Sequence, residues 1–74
     1  MRIKEFINPK DLKITYFTNL VNISNYDDII LLNDNKIILK KTNKFITIKG
    51  ENLTLKKLLD EEILIQGNIK TIEL

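Results

Sequence analysis

The chain closes on "KFITIKGENLTLKKLLDEEILIQGNIKTIEL", residues 44–74, and this stretch decides the fold. It contains two near-copies of one phrase. "ITIKG" ends on Gly50, "ILIQG" ends on Gly67, 17 residues later, and the chain has no other glycine. In each phrase two isoleucines stand two residues apart, the period at which a β-strand presents side chains to one face. Stepping back by 17 from Ile46, Ile48 and Gly50 reaches Ile29, Leu31 and Asn33, and a further step reaches Leu12, Ile14 and Tyr16. Four segments thus share one pattern: "LKITY", "IILLN", "ITIKG" and "ILIQG". Between them lie "LVNIS", "KIILKK", "LTLKK" and "IKTIEL".

These are about eight short strands at a spacing of 8 to 9 residues. Regular short strands with turn signals between them predict an all-β fold. The expected form is a mostly antiparallel meander, a small sandwich or a β-roll. A short-coil β-solenoid is the alternative, because stacked repeats also give a fixed period. Isoleucine, Thr, Val, Tyr and Phe, which favour a pleated surface, supply the strands.

Turn residues punctuate the chain at "SNYDD" (24–28), "NDN" (33–35), "TNK" (42–44), "GEN" (50–52), "DEE" (60–62) and "GN" (67–68). Glycine and Asn tolerate positive φ. Asn33, Gly50 and Gly67 therefore read as equivalent turn formers after a strand. One segment is ambiguous. Leu55, Leu58, Leu59 and Ile63 follow a helical spacing with Thr54 as N-cap, yet Leu53 and Leu55 alternate with polar residues. The expectation is strand through residue 57, then a tight connection. Residues 1–11, ending at "NPKD", read as an arm, with Asn8 extended before Pro9. Residues 12–74 read as one domain.

Seventy-four residues bury a modest core, so such a domain needs tight packing or an added staple. The chain has no Cys and no His, which removes disulfides, soft-metal sites and the Cys–His and Ser–His–Asp nucleophile arrangements. It also fits a reducing compartment. With 14 isoleucines, 11 lysines and nine asparagines, a lone Lys or Asn carries little functional weight. The longest aliphatic run, Ile29 to Leu32, is far short of the roughly 20 apolar residues of a membrane span. "MRIKEFINPK" has no long apolar stretch, so no secretory signal is expected.

Two carboxylate groups invite attention, "Tyr26-Asp27-Asp28" and "Asp60-Glu61-Glu62", because paired carboxylates do acid–base work or hold hard cations. Neither has a calcium-loop spacing, and the bland reading is solvated turn carboxylates. The two glycines form no phosphate-binding loop. No catalytic, cofactor-binding or metal-binding residue is assigned.

The net charge of +2 is uneven: residues 36–57 carry seven Lys against Glu51, whereas residues 58–74 are acidic. Lys40, Lys49 and Lys56 alternate with Leu39, Ile48 and Leu55. On neighbouring strands they form one basic face, able to meet phosphate or an anionic surface. No aromatic residue interleaves with them as single-strand stacking needs, so the bland reading is a solvated face that discourages edge pairing. A second clue is apolar. If Ile29 and Leu31 face the core, Ile30 and Leu32 face away, and so do Ile38 and Leu64. A strand apolar on both faces is either central in a core or covered by a partner.

At "KFITIKGENLTLKKLLDEEILIQGNIKTIEL" the chain resembles the YabP/YqfC family of sporulation proteins and is most similar to the YqfC branch. The family pattern runs I-x-I-x-G-x-x-L-x-I/L-x-x-L, then E-I-x-I-x-G-x-I-x-x-I. Here Ile46, Ile48, Gly50, Leu53, Leu55 and Leu58 match the first part. Glu62, Ile63, Ile65, Gly67, Ile69 and Ile72 match the second. "LKITYFTNLVNISNYDDIILL" is similar to the family's strand, Asn-containing turn and strand. The resemblance covers about residues 9–74. It departs at Asn43-Lys44, where the family often has Gly in the turn, and at Tyr16, where members often carry Gly, which touches the pairing of the first strand.

The resemblance implies a small soluble protein of endospore-forming bacteria, made during sporulation on the mother-cell side. YqfC-like members are encoded beside a membrane protein of the stage IV type. No cofactor and no catalytic residue come with the resemblance. The expectation is a non-enzymatic assembly or scaffolding factor, cytoplasmic, held to a membrane only through a partner. It docks a copy of itself or a sporulation membrane protein through Ile30, Leu32, Ile38 and Leu64 or through a sheet edge. The rival expectation is a binder of nucleic acid or anionic surfaces using Lys40, Lys49 and Lys56.

Overall fold

The structure, a computed structural model, describes residues 11–74. The arm expected over residues 1–11 lies outside the described residues, apart from Asp11. Six strands follow one another: β1 Lys13–Phe17, β2 Leu20–Ser24, β3 Asp28–Leu32, β4 Lys36–Lys41, β5 Lys44–Leu58 and β6 Glu62–Glu73. All neighbours pair antiparallel, in the order β1-β2-β6-β5-β4-β3. The all-β expectation holds, and there is no helix among the described residues. Strands β3 to β6 form a meander, and the β1–β2 hairpin lies on the far side of β6. The first strand pairs with β2 along its whole length, with Tyr16 opposite Val21.

The eight sequence segments become six strands for a physical reason. "ITIKG" and "LTLKK" join in β5, and "ILIQG" and "IKTIEL" join in β6. Gly50 and Gly67 are therefore not turn formers; they lie inside strands. They mark a bend in the long β5–β6 hairpin. The register is irregular between Lys49 and Gly50 and again between Glu51 and Thr54, and Asn52 takes φ 55°. Gly67 sits at φ 151°, and a Cβ there would stand 2.7 Å from the Asn52 carbonyl oxygen. A Cβ on Gly50 would overlap the Asn68 carbonyl oxygen. Glycine is required because the two backbones approach too closely for a side chain.

Asn33 is a turn residue, between β3 and β4, with its N–H donating to the Lys36 carbonyl at 2.9 Å. It is not left-handed, however. Among the described residues the non-glycine residues with positive φ are Asn25, Thr42 and Asn52. The expected equivalence of Asn33, Gly50 and Gly67 therefore dissolves, and the 17-residue period reflects strand spacing alone.

The bend divides the sheet into two groups. β1, β2, the first half of β6 and the second half of β5 make one. β3, β4, the first half of β5 and the second half of β6 make the other. In the first group Val21 opposes Ile65 and Ile23 opposes Ile63. In the second Ile37 opposes Ile48 and Leu39 opposes Ile46. All eight are at most 1% exposed and belong to one cluster, with Tyr26 and Leu53. A sheet face is dry only if something covers it. The described chain has no other layer, so each group covers the other, and one folded sheet makes a small sandwich. Each fully buried Ile contributes about 1.5–3 kcal/mol relative to exposure.

Backbone bonds hold the fold at the bend. The N–H of Gly50 donates to Asn35 at 3.1 Å, that of Leu53 to Asp34 at 2.8 Å and that of Gly67 to Asn19 at 3.0 Å. The turns of the two outer hairpins are thus fastened to the long one.

Candidate interaction surfaces

The carboxylate groups come first, because the fold brings them near one another. The β2–β3 crossover steps from one strand group to the other. The N–H of Asn25 donates to the Glu61 carbonyl at 2.6 Å, and that of Asp27 to the Lys40 carbonyl at 2.7 Å. Between them Tyr26 is buried, and its hydroxyl donates to the Leu59 carbonyl at 3.1 Å. Burial raises the Tyr26 pKa above its ordinary value of 10.0, and the Asp60 charge adds to the rise. Asp27 accepts the Thr42 N–H at 2.6 Å and faces Lys41 at 3.7 Å. Asp28 accepts the Ile29 N–H, and Glu62 accepts the Asn22 side-chain amide at 2.9 Å. These carboxylates staple turns and strands. Among the described residues no group of three or more ligands is placed to hold a metal ion.

The predicted basic face is rearranged. Lys40 opposes Phe45 on one side and Asp28 on the other, and Lys49 opposes Lys36. Directly opposed residues project to the same side of a sheet. Lys36, Lys40 and Lys49 therefore share the outer side of the second group. Lys56 does not join them. It lies beyond the bend, at a register shift between Leu55 and Lys57. Glu73 meets Lys49 at 3.4 Å, so acidic residues interleave with the lysines.

The predicted apolar face is also divided. Ile38 opposes Leu31 and Thr47, whereas Leu64 opposes Asn22 and Lys57. The two belong to different strand groups. A bulge between Ile29 and Leu31 changes the parity of β3. Leu31, expected in the core, shares the outer side with Ile38, and Leu32, expected outside, opposes the core residue Ile37. Ile30 is the extra residue and is 48% exposed. Simple alternation could not foresee this, because a bulge moves every later side chain to the other face.

What does come together is a seam that sequence reasoning missed. Leu55 opposes Ile65 and Leu58 opposes Ile63, so both stand on the inner side of the sheet, as Leu32 does. Yet Leu32, Leu55 and Leu58 remain 42%, 37% and 50% exposed. They line the border between β3 and the second half of β5. This border is pinned at one end by the Leu53–Asp34 bond. At the other, Ile29, Leu58 and Leu59 share a hollow of about 380 Å³. Both backbones are edges there: β3 ends the sheet, and β4 pairs with β5 only as far as Lys49. On the opposite border Leu12, Ile14, Ile69 and Ile72 pack against the core, with Tyr16 left half-exposed. That border keeps a hollow of its own, of about 410 Å³, lined by Leu12, Phe45, Ile46 and Leu74.

The spacing of Gly50 and Gly67 and the inner isoleucines of β5 and β6 carry a family signature. A model of the YabP family matches residues 8–74, nearly the whole chain. The chain belongs to the YabP family. No curated protein and no solved structure matches it. The YabP family is one of sporulation proteins and is not known as enzymatic. In this YabP-family chain the signature residues Ile46, Ile48, Leu53, Ile63 and Ile65 are core, and the two glycines form the bend. Among the described residues no helix is long and apolar enough to cross a membrane.

Proposed function

We propose that this YabP-family chain is a non-catalytic assembly factor that works on the mother-cell side during endospore formation by holding a protein partner. The partner is a copy of itself or a sporulation membrane protein. The observation that carries this reading is the open seam. Inner-side leucines Leu32, Leu55 and Leu58 stay partly exposed between two strand edges that lack a neighbour. Free edges bordered by apolar side chains are a template for strand addition. Asp27, Asp28 and Glu62, in contrast, are held by N–H donors, and Asp27 also by Lys41, which supports a structural part for them over catalysis.

The test is genetic and biochemical together. Replacing the chromosomal copy by Leu58→Glu should lower the yield of heat-resistant spores, while the purified variant keeps its strand circular-dichroism spectrum. A folded Leu58→Glu that supports normal spore yield sinks the seam as the working surface. Ile38→Lys, on the outer side, should be tolerated.

A second reading rests on the shared face of Lys36, Lys40 and Lys49. Binding there to an anionic surface or nucleic acid should weaken steeply with salt. Lack of retention on phosphatidylserine vesicles or heparin at low salt dismisses it.

A further inference from the structure

The seam ends at the turn between β5 and β6, and that end is apolar and acidic at once. Leu58 and Leu59 are 50% and 51% exposed there. Two hollows share them, together with Asp60. One, of about 380 Å³, reaches toward β3 and is rimmed by Asp27 and Asp28. The other, of about 660 Å³, is rimmed by Glu61 and Glu62. Among the described residues no lysine lines either hollow. Lys57, next along the chain, opposes Leu64 and so stands on the outer side of the sheet. Asp27 is engaged by Lys41 at 3.7 Å, and Glu62 by the Asn22 amide. Asp28, Asp60 and Glu61 make no ion pair among the described residues, where the pairs are Lys41–Asp27 and Lys49–Glu73.

The backbone beneath the leucines is fixed from two sides. The Leu59 N–H donates to the Glu62 carbonyl at 2.8 Å, and the Leu59 carbonyl accepts the Tyr26 hydroxyl at 3.1 Å. A leucine held in place yet half-exposed can meet a partner at little cost in ordering.

We propose that this end of the seam takes a basic, aliphatic segment of a protein partner, with a lysine or arginine laid over Leu58 and Leu59 and its charge at Asp60 and Glu61. Such a side chain answers both features of the site. Its methylene stem covers apolar surface while its charged head stays at the wet, acidic rim. The same rim repels an anionic lipid surface. The unpaired edge of β3, whose Ile29 lines the first hollow, offers backbone groups that a polypeptide can use. Contact with the leucines supplies affinity, and the charges select the partner and speed encounter. The proposal rests on the reading of the seam as the working surface and states the chemistry of its occupant.

Two labelled peptides test it by fluorescence anisotropy, one alternating lysine with leucine and a control alternating glutamate with leucine. At low salt the wild type should bind the lysine peptide, and the control about tenfold more weakly. Asp60→Asn with Glu61→Gln should weaken binding of the lysine peptide by about tenfold, with the circular-dichroism spectrum of the wild type retained. On the chromosome, Asp60→Lys with Glu61→Lys should lower spore yield as Leu58→Glu does. A lysine peptide that binds no better than the control overturns the proposal. So does binding that the neutralised variant keeps in full. Failure here is separable from failure of the seam itself. If the charge-reversed strain sporulates normally while Leu58→Glu does not, the seam works but its occupant is not basic, and sedimentation equilibrium then shows whether it is a second copy. If both strains sporulate normally, both readings fall.

Discussion

The Tyr26 hydroxyl donates to the Leu59 carbonyl oxygen across 3.1 Å, and this bond ties the β2–β3 crossover to the turn that joins β5 and β6. The crossover is the only described connection that passes between the strand groups without following the β5–β6 hairpin. Tyr26→Phe should therefore lower unfolding free energy by about 1 kcal/mol, the net worth of one hydrogen bond. Tyr26→Ala should lower it by about 3–5 kcal/mol, because it also leaves a cavity between the groups. Urea titration followed by circular dichroism measures both, and a Tyr26→Phe variant as stable as the wild type would refute the hydrogen-bonding role.

Alkaline pH should expose the same residue. The Tyr26 pKa is raised above 10.0, first by burial and then by the Asp60 charge. A raised pKa means that the folded state holds the proton more tightly. The corresponding stability is fully present below the unfolded-state pKa and is lost as pH climbs toward the folded one. The urea midpoint of the wild type should therefore fall as pH rises above about 10. Tyr26→Phe should fall less, since lysine deprotonation is common to both proteins. Parallel declines would show that Tyr26 titrates alike in both states.

Gly50 and Gly67 should tolerate no side chain. Alanine at Gly67 faces a strained φ and the Asn52 carbonyl at 2.7 Å. Alanine at Gly50 meets backbone at Asn68. Relief requires the two strands to move apart, so each variant should lose several kcal/mol, on the order of the largest single-residue effects. Soluble yield and thermal unfolding are the readouts. Gly67→Val should behave the same way, losing the fold and not a separate activity.

Asn52 offers the converse. At φ 55° it stands in the left-handed region, where a residue with a β-branch is strained and Gly is not. Asn52→Gly should stay within about 0.5 kcal/mol of the wild type, and Asn52→Val should cost about 1–2 kcal/mol. A neutral Asn52→Val would mean that the bend does not depend on that conformation.

Lys36 and Lys49 are directly opposed on β4 and β5, and like charges so placed destabilise a sheet. Lys36→Glu should raise stability by about 0.2–1 kcal/mol, with the gain shrinking in high salt. Thermal unfolding at two salt concentrations checks both parts.

Much of the architecture was legible in the residues. The two-residue spacing of Ile37 and Leu39, Ile46 and Ile48, and Ile63 and Ile65 marked three inner strand faces, and all six side chains are buried. The strand reading of Leu53 to Lys57 held, because β5 runs through to Leu58. The meaning of the glycines was not legible. Glycine in a turn and glycine at a close approach of two strands look alike in one dimension. The candidate site was legible only as an expectation of exposed apolar residues. Of its four members, Leu32 lies at the open seam. Ile30 is the bulged residue beside it, and Ile38 and Leu64 stand on the outer sides of different groups. Leu55 and Leu58 stood in the segment whose spacing suited helix or strand, and nothing local says that a border will lack a covering strand.

By itself, then, the sequence determined the all-β class, the inner faces of β4, the first half of β5 and the first half of β6, the family and the exclusion of thiol and imidazole chemistry. All follow from residue type and short-range spacing. The tertiary structure decided that two long strands bend at Gly50 and Gly67 to fold one sheet onto itself. It decided also that the bulge at Ile30 reverses the end of β3, and that Leu32, Leu55 and Leu58 stay partly exposed on the inner side. These depend on which backbones meet across the fold, a relation between residues far apart in the chain that no local spacing encodes.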